Sequence, residues 1–144
     1  VYAKGFTVLN DSYKSNPSSV LAALDTLYSL KGYEQNIVVL GDMLGLGKDE
    51  IKMHEEIGQK IDSNQVEYIF TIGSLSRYIA KAARPNFNGD RIFICNTKIQ
   101  LIEKIKRVIK SNALVLVKAS RSLELEKVVD ALIKEITLPK ESAM

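Results

Sequence analysis

The polar side chains best suited to hold or orient a ligand fall in four short clusters, each just after an apolar run. They are Asn10-Asp11-Ser12-Tyr13-Lys14-Ser15-Asn16, Gly41-Asp42-Met43, Gly73-Ser74-Leu75-Ser76-Arg77 and Lys118-Ala119-Ser120-Arg121-Ser122. In open parallel sheets ligands collect beyond the carboxyl ends of the strands, so residues at such positions are the first candidates for binding. Asp11 followed by Asn16-Pro17 has two readings. It can end a strand and cap a helix. It can also serve a nucleotide, because free N–H groups at a helix start attract phosphate while a carboxylate accepts from ribose hydroxyls.

Several familiar chemistries are excluded. The Gly-rich stretch at 41–47 ending in Lys48 fails as a phosphate loop, since Asp42 stands where its first glycine belongs and Asp49 follows the lysine. It fails as a dinucleotide fingerprint too, because Glu50 replaces the third glycine. Loop chemistry alone makes it a flexible turn leading into a helix. His54, the one histidine, shares a helical face with Ile51, Ile57, Gly58 and Ile61, which favours a packed structural role over catalysis. No Cys or His cluster has zinc-ligand spacing, no serine has nucleophile-elbow flanks, and no catalytic or metal-ligating set is expected within the chain.

These clusters need elements to position them. Apolar runs at Phe6–Leu9, Ile37–Leu40, Tyr68–Ile72, Arg91–Cys95 and Leu114–Val117 have the continuous character of strands covered on both faces. Helical patterns near 17–31, 49–62, 75–83, 98–110 and 121–136 alternate with them. Asn16 and Pro17 suit the cap and first position of the first helix, and Ser120 or Ser122 could cap the last. Alternation of this kind predicts an α/β three-layer sandwich: a mostly parallel sheet of five to six strands with helices on both faces.

With 144 residues, 46% hydrophobic and 26% charged, the chain is sized and composed for one domain, expected over 1–136 with a frayed tail at 137–144. The 20 basic and 17 acidic residues are dispersed, which argues against nucleic acid as a partner. Cys95 within Ile92-Phe93-Ile94 suits a buried thiol in the cytoplasm, and no apolar run is long enough to span a membrane. Val1, standing where an initiator Met would, suggests a piece of a longer protein.

Four blocks then resemble one family. Leu9 to Ser19 resembles D-S-Y-N-A-N-P-x-S; Val39 to Gly47 resembles V-L-G-D-M-x-E-L-G; His54-Glu55-Glu56-Ile57-Gly58 resembles H-x-E-V-G; Val115 to Ser122 resembles V-L-V-K-G-S-R-S. These are signatures of the C-terminal domain of Mur ligases that add D-alanyl-D-alanine. Lys14, Ser15, Gly45 and Ala119 depart from the pattern.

The resemblance implies a Rossmann-like sheet, usually six-stranded with one antiparallel strand, acting as a lid in a bacterial, cytoplasmic, ATP-dependent ligase of peptidoglycan precursor synthesis. Its substrates would be ATP, UDP-muramoyl-tripeptide and D-alanyl-D-alanine, with Mg2+ and the phosphate loop held by another domain. Carried over by position, Asp11, Tyr13 and Asn16 would bind ATP. Asp42, Ser74, Arg77, Lys118, Ser120 and Arg121 would serve the amino substrate, with either Lys118 or Arg121 on its carboxylate. Two alternatives remain open: a Mur ligase adding another amino acid, whose first signature usually has D-Y-A-H, and a free-standing α/β nucleotide-binding or interaction module.

Overall fold

The computed structural model describes residues 2–3, 5–11, 15–120, 124–125 and 127–134. The elements run β1 (Tyr2–Ala3), β2 (Phe6–Asp11), α1 (Pro17–Ser29), β3 (Gln35–Gly41), α2 (Glu50–Lys60), β4 (Tyr68–Ile72), α3 (Arg77–Ala83), β5 (Ile92–Cys95), α4 (Lys98–Val108) and β6 (Ala113–Lys118). A last helix, α5, covers 127–134. The sheet order is β1-β2-β6-β3-β4-β5, parallel throughout except for β1, which pairs antiparallel with β2. The expected three-layer arrangement is therefore present, and the two-residue β1 is the strand that periodicity could not reveal.

β6 shows why the apolar runs had to be central strands. All six of its residues are buried. Successive side chains point to opposite faces, so Ala113, Val115 and Val117 enter one core with Val8, Val39, Phe70, Leu101, Ile105, Val128 and Leu132. Leu114 and Leu116 enter the other, with Val38, Leu40, Ile69, Leu24, Leu27, Ile57 and Ile79. The first core lies under α4 and α5, the second under α1, α2 and α3. Each buried Val, Leu or Ile contributes about 1.5–3 kcal/mol of transfer free energy, so removing one face from its helices would unfold the sheet.

Helix ends carry local signals. Asn16 caps α1 with a capping box: its Oδ1 accepts from the Ser19 amide at 2.9 Å while its own amide donates to Ser19 Oγ at 2.9 Å. Pro17 sits in the first turn. Thr97 caps α4 by accepting from the Gln100 amide at 3.0 Å. α2 packs tightly on α3, because Gly58 presents no side chain where a Cβ would lie 2.2 Å from the Ile79 carbonyl. The final helix forms later than the pattern from 121 suggested: its first turn closes through Lys127 and Val128 amides donating to Glu124 and Leu125 carbonyls. Ser120 does not cap it, and Ser122 lies outside the described residues, as does the tail at 137–144.

Candidate functional site at the carboxyl edge

Because β2, β6, β3 and β4 are parallel neighbours, all four polar clusters open on the same edge of the sheet. At about 4.8 Å per strand, the span from the end of β2 to the end of β4 is roughly 14 Å, enough for two small ligands side by side. At one end, Asp11 closes β2, and Asn16 starts α1 five residues on. Asn16 Oδ1 is taken up by the cap, accepting from the Ser19 amide and the Ser18 hydroxyl. Pro17 has no N–H and the Ser19 amide is taken by the cap, so Ser18 carries the first-turn amide that lies outside the cap. Ser15 is buried, with a hydroxyl that meets no hydrogen-bond partner among the described residues. Tyr13 lies outside the described residues, so its placement in this loop stays an expectation.

In the middle, Lys118 ends β6 in register with Asp11 of β2 and Leu40 of β3. It is 1% exposed, a buried cation rather than a solvated one. Strand alternation puts it on the face of Leu114 and Leu116, under α1. The structure thus sets Lys118 between the two groups of candidates, a juxtaposition the linear sequence does not show. Ala119, where the family pattern has glycine, is buried and has no positive φ, so the methyl is accommodated without backbone strain.

The 41–47 loop is pinned. Asp42 is buried, and its Oδ1 accepts from the amides of Leu75 at 3.0 Å and Ser76 at 2.7 Å, fixing the turn after β4. Gly73 makes this approach possible: its φ is +120°, and a Cβ there would lie 2.3 Å from Asp42 Oδ1. The Asp42 carbonyl accepts from the Ser120 amide at 3.2 Å, and Ser120 Oγ accepts from the Leu44 amide at 3.0 Å. Between them, the Met43 amide donates to His54 Nε2 at 3.0 Å, while His54 Nδ1 lies 2.6 Å from the Glu50 carbonyl. A carbonyl only accepts, so Nδ1 carries the proton and Nε2 is the acceptor.

The sequence-predicted residues therefore sort by what they touch. Asp42 and Ser120 are engaged in building the edge, Ser74 and Arg77 are exposed on the turn that Asp42 holds, and Arg121 lies outside the described residues. The Arg77 guanidinium stands 5.3 Å from the centre of the Tyr78 ring. His54, assigned a packed role by its helical face, is fully buried as expected, whereas Ile51 on the same face is 43% exposed. Among the described residues there is no group of three or more His, Cys, Asp or Glu able to hold a metal, and no helix is long and apolar enough to cross a membrane. A separate recess of about 590 Å³, lined by Asn36, Glu67, Arg91 and Lys110 among others, lies at the opposite edge, away from these loops.

A parallel α/β sheet whose strand-end loops converge on one polar edge is the architecture in which ligands commonly bind beyond the carboxyl ends of the strands, and the comparisons narrow the class. Residues 1–121 match the family described as Mur ligase, glutamate ligase domain, and the chain belongs to that family. It is 38% identical over 130 residues to a UDP-N-acetylmuramoyl-tripeptide–D-alanyl-D-alanine ligase of Bacillus subtilis (strain 168), covering 90% of this chain and 28% of that protein. It is 31% identical over 132 residues to the protein of that name from Escherichia coli (strain K12), covering 90% and 27%. The chain thus spans less than a third of the length of these relatives. The fold matches the MurF ligase of Thermotoga maritima solved in complex with ADP, with a TM-score of 0.78 at 22% identity over 94% of this chain and 30% of that one. A MurF from Acinetobacter baumannii matches with a TM-score of 0.80 at 21% identity, covering 93% and 29%.

Proposed function

We propose that this chain is the C-terminal lid of a longer, cytoplasmic, ATP-dependent ligase that joins D-alanyl-D-alanine to UDP-muramoyl-tripeptide in peptidoglycan precursor synthesis. The observation that carries the reading is that all four signature blocks, scattered over more than a hundred residues of chain, contribute to one carboxyl edge or to the loop that builds it. The relatives named for that reaction support the choice of substrates. The first signature supports it further, since Asp11-Ser12-Tyr13-Lys14 stands where ligases for other amino acids usually show D-Y-A-H.

In this reading the γ-phosphoryl group of ATP passes to the tripeptide carboxylate, giving an acyl phosphate and ADP. The dipeptide amine then attacks the acyl carbon, the C–O bond to phosphate breaks, and the amine loses a proton as the amide forms. The lid contributes orientation and exclusion of water. Asp11 accepts from ribose hydroxyls, Asn16 and the first turn of α1 face the phosphate side, and Tyr13 shapes their loop. Lys118 or Arg121 forms a charge-assisted bond to the dipeptide carboxylate, on the edge that Asp42, Ser74, Arg77 and Ser120 complete. Mg2+ neutralises phosphate charge when bound with ATP. The groups that would hold it belong, on this reading, to another part of the longer ligase.

Two substitutions in the longer ligase test the assignment. Asp11→Ala should weaken productive ATP use by about 1.5–3 kcal/mol and affect the dipeptide less. Arg121→Ala should raise KM for D-alanyl-D-alanine far more than KM for ATP. If Arg121 only neutralises neighbouring glutamates, its loss changes stability by about 0–1 kcal/mol and leaves both constants near normal. Unchanged ATP kinetics in Asp11→Ala would return that residue to a strand-ending role.

A further inference from the structure

The residues placed in substrate binding do not explain why a buried imidazole is spent on the 41–47 loop. His54 is fully buried on α2, yet its Nε2 reaches out of the helix to accept from the Met43 amide at 3.0 Å. Its other nitrogen, 2.6 Å from the Glu50 carbonyl, is tied to the preceding turn of the same helix. Met43 is itself flanked by two anchored residues. Asp42 holds the Leu75 and Ser76 amides, and the Leu44 amide is held by Ser120 Oγ. Three consecutive residues after β3 are thus each fastened to a different element: the β4–α3 turn, α2 and the end of β6. Gly45 and Gly47, which follow at φ +76° and +82°, meet nothing within 4 Å of a would-be Cβ, while Leu46 between them packs against the core that holds Met43, so hydrogen bonds and packing restrain the loop together.

We infer that His54 is a positioning residue for the amino-substrate side of the site, acting through Met43 to set Asp42 and Leu44 in place before substrate arrives. The inference rests on the reading that this edge receives D-alanyl-D-alanine. An imidazole suits the task because one ring offers a donor to a carbonyl and an acceptor to an amide at fixed separation. Small displacements of residues that orient a substrate have large kinetic effects. Leu44, 46% exposed beside Ser120, is the apolar side chain that this arrangement presents at the edge, and D-alanyl-D-alanine carries two methyl groups.

The two nitrogens can be separated by substitution. In His54→Gln the amide oxygen can occupy the Nε2 position and accept from Met43. In His54→Asn the shorter side chain can reach the Nδ1 position but not Met43. In the longer ligase, His54→Asn should raise KM for D-alanyl-D-alanine about tenfold with KM for ATP within about twofold, while His54→Gln stays near the parent enzyme in both. A purely structural role predicts that the two variants lose thermal stability and that neither shows the split. Equal behaviour of Asn and Gln, or parallel movement of both Michaelis constants, overturns the inference.

If His54→Asn does not fold, the parent enzyme decides by amide hydrogen exchange. The Met43 amide must be protected without substrate, and free exchange there contradicts a preset edge. Failure of the site reading looks different: Arg121→Ala and Lys118→Met would then both leave the dipeptide constant unchanged. A raised constant in either, with none in His54→Asn, sinks only the role of His54.

Discussion

Asp42 uses one carboxylate oxygen for two amides, and that arrangement changes what its neighbours can do. A carboxylate accepting two backbone N–H groups in a buried setting is a fixed strut, so Ser74 and Arg77, which ride on the turn it holds, inherit a defined position from it. Residue types and their place after strands were legible in the sequence, and so was the burial of His54. The sharing of labour was not, because the partners of Asp42 lie 33 and 34 positions away and those of Met43 and Leu44 lie 11 and 76. Cys95 tests the same scale. Burial pushes its thiol above the ordinary value, with the Lys104 charge opposing more weakly. The folded pKa is therefore higher than the unfolded one, near 8.5. Stability from the neutral thiol is complete below that pH and is lost as pH rises through the raised value. Native protein at pH 8 should alkylate with iodoacetamide far more slowly than urea-unfolded protein, and its urea midpoint should fall above about pH 9. Equal alkylation rates would mean that the β5 end is open to solvent.

At the scale of elements, two glycines with positive φ separate close approach from backbone freedom. Gly45→Ala faces only the left-handed penalty, about 1–2 kcal/mol, because nothing lies within 4 Å of the new methyl. Gly73→Ala adds a methyl 2.3 Å from Asp42 Oδ1, so it must also displace the carboxylate that holds the β4–α3 turn. Its destabilisation should exceed that of Gly45→Ala by about 1–3 kcal/mol in chemical denaturation. Equal costs would show that Asp42 can swing aside freely. The elements themselves were largely readable. Continuous apolar runs marked β2 through β6 because helices cover both faces, and Asn16-Pro17 marked the start of α1 because a cap and a fixed φ are local properties. β1 was hidden, since two residues carry no periodicity. The start of α5 was misplaced because the helical pattern of the sequence continues upstream of Glu124, whose φ of +52° is not helical.

At the scale of the whole molecule, the edge brings the capped start of α1, the buried Lys118 and a pinned loop within about 14 Å. Among its described residues it has no metal-holding cluster, and the Gly-rich loop fails the phosphate-loop pattern. On the proposed reading, such an edge would orient ATP and the amino substrate, with the phosphate loop supplied by another part of the longer ligase. The candidate loops were legible in the sequence by their polar residues after apolar runs, while their spatial order came only from the strand order β2-β6-β3-β4. The most direct test compares ATP-dependent addition of D-alanyl-D-alanine to UDP-muramoyl-tripeptide by the longer ligase and by these 144 residues alone. The longer ligase should form the adduct with one phosphate released per amide bond, and the isolated chain should fold without turnover. Turnover by the isolated chain, or a longer ligase that rejects D-alanyl-D-alanine in favour of a single amino acid, would contradict the account.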